Sequence, residues 1–226
     1  MRPALLVQGL ALTVALAVAG HSAATVARAS RPERMDVRGL SVPVTWLELL
    51  NTPCRHQGQE VVFAFQFHGW PERWHPGPTR FGEGAYAAIS GWADEQFPWI
   101  PEEFDNPAVR LFVRRGSEAQ RSFVGALPHQ RFEVTGIVRE VWRDRPWIEL
   151  TGATLLEDQI GEATVFHAAR AIELMEDGTF VMADEALQQA LSAPLPDAAR
   201  DELSRLREMC ATEMADPKPA PIRPRK

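Results

Sequence analysis

The chain of 226 residues has almost no lysine: of its 24 basic residues, only Lys218 and Lys226 are not arginine. Together with the abundance of alanine, that skew points to a GC-rich bacterial source and says nothing about function. Two cysteines, Cys54 and Cys210, are too few for a disulfide framework. There is no Gly-x-Ser-x-Gly elbow, no glycine-rich phosphate loop and no His-Glu-x-x-His helix. The carboxylate pairs Asp94-Glu95 and Glu102-Glu103 read as surface charge. The expectation is a protein that is not an enzyme and needs no cofactor.

Long apolar runs are also missing. The longest, Ala4–Ala19, is interrupted by Gln8, Gly9 and Thr13 and falls short of the roughly 20 residues that cross a bilayer. With Arg2 before it and Ala27-Arg28-Ala29 after it, residues 1–29 read as a cleaved signal peptide. No cysteine near that point suggests a lipid anchor. A periplasmic or secreted protein with no membrane span after cleavage is expected. Losing Arg2 and Arg28 makes the net charge of −6 two units more negative. Such a balance disfavours bulk binding to nucleic acid or anionic lipid, which needs cations to displace counterions. The charge is uneven, however. Residues 161–216 carry twelve acids against four arginines, whereas 106–147 carries eight arginines against four acids.

What is present organises the chain. Residues 30–44 read as an extended linker. Thr45-Trp46-Leu47-Glu48 is a capping box opening a short helix that Asn51-Thr52-Pro53 stops. Val61, Phe63, Phe65 and Phe67 alternate along a strand, with His68 on its opposite face. Residues 69–107 form a Trp/Pro-rich irregular insertion, in which Ala85, Ala88, Ile89 and Trp92 have helical spacing and predict a short helix near 84–95. A second strand is expected at Val109–Arg114. Phe132, Val134, Gly136, Val138 and Trp142 then share one face of a long hairpin. It turns at Asp144-Arg145-Pro146 and returns through Ile148, Leu150 and Leu156.

From Glu162 the period becomes helical, with stripes Val165/Ala169/Ile172, Phe180/Ala183/Leu187/Leu191 and Leu203/Leu206/Cys210. Asp177-Gly178, then Pro194 and Pro196, separate the helices, and Asp197 is a plausible N-cap for the last. The division expected is a barrel domain over 45–160, a three-helix extension over 161–214 and a disordered Pro/basic tail over 215–226.

Phe132-Glu133-Val134-Thr135-Gly136-Ile137-Val138 followed by Pro146-Trp147-Ile148-Glu149-Leu150 resembles the strand grammar of oligonucleotide/oligosaccharide-binding (OB) barrels. The resemblance covers residues 45–158. It implies an α+β protein with a small antiparallel OB-like β-barrel, and a binding platform on one barrel face with loops setting the ligand. The fold alone does not fix the role.

Candidate ligand contacts are Trp70, Arg73, Trp74 and Arg80 in the insertion, with Arg131 and Arg139 on the hairpin. For the hairpin arginines, cross-strand pairing or docking against the acidic extension is the preferred reading. Cys54 and Cys210 are a possible disulfide, although Cys210 on an apolar stripe also suits a buried thiol. Cys54, His56, His68, Glu72 and His75 match no known metal-site spacing, and no metal is assigned. The leading expectation is an exported binding module for a protein or peptide partner in the cell envelope. The alternatives are binding of oligosaccharide or single-stranded nucleic acid and, behind both, a metal-dependent enzyme built on His56, His68 and His75.

Overall fold

The computed structural model describes residues 41–71 and 81–215. The expected signal peptide, residues 30–40 of the linker, Glu72, Arg73, Trp74, His75 and Arg80, and the tail from Asp216 lie outside them.

A two-residue strand β1 (Val42–Pro43) runs parallel to the next strand. Helix α1 (Trp46–Asn51) follows, its first turn capped by Thr45, whose hydroxyl accepts from the Glu48 amide at 3.1 Å. Only half of the expected capping box forms, because the Glu48 carboxylate lies 3.5 Å from His56 instead. A 3-10 turn over Pro53–His56 leads into β2 (Glu60–Gly69). Its four alternating residues Val61, Phe63, Phe65 and Phe67 are all buried in one core, as their period of two demands.

The expected helix near 84–95 is instead strand β3 (Tyr86–Ala93), paired antiparallel with β2 and with β4 (Val109–Arg114). Both of its faces are covered, so apolar residues occur on each and the spacing mimics a helix stripe. Gly91 marks where β3 passes closest to β2. A Cβ at that position would lie 2.3 Å from both the Gln66 carbonyl oxygen and the Phe65 ring. Helix α2 (Pro101–Phe104) precedes β4, and α3 (Glu118–Ser122), capped by the Ser117 hydroxyl, follows it.

The long hairpin is β5 (Arg131–Trp142) and β6 (Arg145–Leu155). β5 pairs antiparallel with β2 and β6, while β6 pairs parallel with β4. The strands therefore close into a five-stranded barrel in the order β2-β3-β4-β6-β5, returning to β2. The barrel is mixed rather than purely antiparallel. A closed ring of five strands cannot alternate in direction throughout, and the parallel pair here is β4–β6. Inside it, Phe63, Phe65, Val134 and Ile148 share one core.

Three helices follow: α4 (Glu162–Glu176), α5 (Phe180–Ala190) and α6 (Asp197–Ala215). Gly178, with φ +73°, takes the left-handed turn after α4. Thr164, Ala168, Ala171 and Leu174 face inward on α4, one position from the expected stripe, so Val165, Ala169 and Ile172 are only half-buried. Leu203, Leu206 and Cys210 are buried as expected. This second core also takes Trp99 and Ile160, so part of the Trp/Pro-rich segment serves the helices. The fold is α+β, a closed five-stranded mixed barrel with six α-helices among the described residues. Among the described residues, no helix is long and apolar enough to cross a membrane.

Candidate functional site

A β-bulge decides where the aromatic side chains of the hairpin point. The β5–β6 register shifts between Val138 and Glu140. An extra residue inverts the inward–outward alternation. Val141, not Trp142, then packs against the core, and Trp142 is left half-buried outside it. The turn beyond is Arg143-Asp144, both in the left-handed region with φ +49° and +58°. That conformation suits a two-residue hairpin but normally favours Asn-Gly. The Arg143 guanidinium lies over the Trp142 ring, 4.5 Å from its centre.

This tip overhangs a cleft of about 440 Å³. Its floor includes Ala88 of β3 and Arg110 and Phe112 of β4. Trp142, Arg143, Arg145 and Trp147 form the hairpin side, and Trp46 of α1 and Pro71 also line it. Phe81 stacks on Phe112 at 4.3 Å, and Phe112 lies 6.3 Å from Trp147. The charged residues on the described lining are Arg110, Arg143 and Arg145, with no carboxylate among them. None of the three is ion-paired to a described residue. Beside the cleft, buried Glu149 takes up two further cations. Arg139 Nε donates to Oε2 at 2.7 Å, and Arg114 Nε lies 3.4 Å from Oε1. Arg114 also donates to the Tyr86 hydroxyl at 3.0 Å.

The expected contacts divide. Trp70 is 40% exposed and lies edge-on to Phe67 and Phe123, in a neighbouring recess with Tyr86, Arg115 and Val124. Arg73, Trp74 and Arg80 lie outside the described residues. Arg131 does not line the cleft. Its guanidinium donates to both Asp94 oxygens at 2.9 and 2.6 Å and to Asp158, clamping the stretch that leads to α4. Arg139 is held by Glu149. The Arg139–Glu149 pair crosses from β5 to β6, whereas the partners of Arg131 lie just beyond the ends of β3 and β6, neither on a paired strand nor in the helical extension.

The possible disulfide does not form. Cys54 is an exposed free thiol on the 3-10 turn, while Cys210 is a free thiol buried within the helical core. Burial pushes the Cys210 thiol above its usual pKa. Among the described residues, no three His, Cys, Asp or Glu side chains converge as a metal site. His68 instead lies edge-on to Trp92 at 4.8 Å, and His129 stacks on the same ring at 5.0 Å. Burial lowers the pKa of both histidines.

Trp142, Arg143, Arg145, Trp147 and Arg110 are the cleft residues that sequence reasoning left out of its candidate site. The dense Arg/Trp run over 139–147 was the available signal. Period-two alternation concealed it by assigning Trp142 to the core.

Fold and cleft together define a small mixed β-barrel with appended helices and an aromatic, cationic recess on its wall. No protein-family model matches the chain, and no curated protein matches it in sequence.

Proposed function

We propose that the protein is an OB-like, non-enzymatic binding module whose cleft holds an anionic, flat-faced oligomer, single-stranded nucleic acid first and acidic oligosaccharide second. The carrying observation is a recess in which aromatic side chains stand beside three arginines that no described carboxylate neutralises. The barrel order supports the same reading. Taken as five strands, it runs first-second-third-fifth-fourth, with a helix between third and fourth. The cleft lies on the second and third strands and at the hairpin joining fourth to fifth, the face on which OB barrels hold their ligands.

Each element has a chemical task. Trp142 and Trp147 offer rings for stacking, which contributes about 1–3 kcal/mol per base where it occurs. Arg110, Arg143 and Arg145 supply the cations, and the arginine fork suits phosphate or carboxylate oxygens. A net-acidic chain with one cationic recess selects a ligand that enters that recess and repels polyanions elsewhere. Export to the periplasm remains part of the proposal, resting on residues 1–29 alone.

Tryptophan emission of the full chain, titrated with a ten-residue oligothymidylate and with an oligogalacturonate, tests the reading. Saturable quenching by either, lost in Trp142→Ala, is expected. Flat titrations with both would remove it.

A further inference from the structure

On the helical unit, α4 and α6 leave an open groove of about 690 Å³, which Phe180 of α5 also lines. Its apolar wall is Ile172 and Met175 from α4 and Leu206 and Met209 from α6. Met209 is 44% exposed, and Ile172, one position off the buried face of α4, is half-buried and packs against the edge of the core. Methionine side chains re-pack around varied apolar partners, which suits a surface that receives a helix.

The charges around the groove choose the partner. Glu176 and Glu208 lie on its rim without an ion-pair partner among the described residues. Arg205, the cation on the rim, is held by Glu202 at 2.6 Å and donates to the Met209 sulfur at 3.1 Å. Glu213, the remaining rim acid, is already engaged. The unit around them is strongly acidic, twelve acids to four arginines over 161–216. An anionic membrane or a nucleic acid would be repelled, and so would the same face of a second copy.

We infer that this groove is a docking site for a basic amphipathic helix of a partner protein. Apolar residues at i, i+3, i+4 and i+7 enter between α4 and α6, and flanking lysines or arginines meet Glu176 and Glu208. The site is remote in composition from the barrel cleft and opposite in charge, so the protein would join an anionic ligand to a cationic partner. The inference does not depend on the cleft's ligand.

The test uses the full chain and two synthetic 18-residue helices, alike in their leucine positions but carrying lysine or glutamate elsewhere. Calorimetry is expected to show saturable binding of the lysine helix and none of the glutamate helix. Met209→Asp, and separately the pair Glu176→Lys/Glu208→Lys, should each weaken it about tenfold or more. Glu185→Lys on α5, and Arg110→Gln in the cleft, should leave it unchanged. Circular dichroism checks that each variant is folded. Equal binding of the two helices, no binding of either, or indifference to Met209→Asp would overturn the inference. So would a dimer at micromolar concentration that Met209→Asp dissolves, because the occupant would then be a second copy.

Discussion

The Arg143 guanidinium sits 4.5 Å from the centre of the Trp142 ring, at a turn where both Arg143 and Asp144 hold left-handed backbone angles. Non-glycine residues in that region carry a steric cost of about 1–2 kcal/mol each, somewhat less for aspartate. The hairpin thus sacrifices stability to place a cation and a ring at the cleft mouth.

Replacing the pair as Arg143→Asn/Asp144→Gly is expected to raise stability by about 1 kcal/mol, a rise of roughly 2–4 °C in Tm for a chain of this size. The same variant should bind oligothymidylate more weakly by about three- to tenfold, since one of three cleft cations is gone. Thermal unfolding and a binding titration on one preparation check both signs.

Arg131 predicts the reverse pattern. It is 13% exposed and clamps Asp94 and Asp158. Arg131→Met leaves two partly buried carboxylates unpaired, a loss of about 2 kcal/mol once solvent screening is allowed for. Denaturant midpoints should fall while ligand affinity stays within twofold of the parent protein.

The two histidines packed on Trp92, His68 edge-on and His129 stacked, make stability depend on pH. Burial lowers the pKa of His129 and of His68, so the unfolded chain binds their protons more readily than the folded one. Stability from this source is therefore present above the unfolded value of about 6.5 and lost as pH falls through the lower folded values. Glu162 opposes the shift at His129. His129→Asn suits the residue's φ of +72° and should flatten the decline between pH 7 and 5. Chemical denaturation across that range measures it.

The cysteines supply a simple check on the fold. Cys54 should react with an aromatic disulfide reagent at the rate of a free thiol, and Cys210 only after unfolding. Tm should be unchanged by dithiothreitol, whereas a Cys54–Cys210 bridge would make it fall.

These residues also show what a reader of the sequence alone would have seen. The core of β2 and β4 was legible because Val61 through Phe67 and Val109 through Arg114 alternate or end cleanly. β3 was not, since it is covered on both faces and its alanines fall equally well on a helix. The cleft was hidden by a single extra residue between Val138 and Glu140, which turned Trp142 from an expected core side chain into a cleft wall. Arg131 was visible as a cation but not as a clamp, because Asp94 and Asp158 are brought to it only by chain closure.

Salt dependence of oligothymidylate affinity tests the binding account most directly. With three arginines each neutralising a phosphate, the logarithm of the association constant should fall against the logarithm of salt concentration with a slope of about −2, and Arg110→Gln/Arg143→Gln/Arg145→Gln should bring it close to zero. Binding that ignores salt, or a slope untouched by the triple substitution, would contradict it.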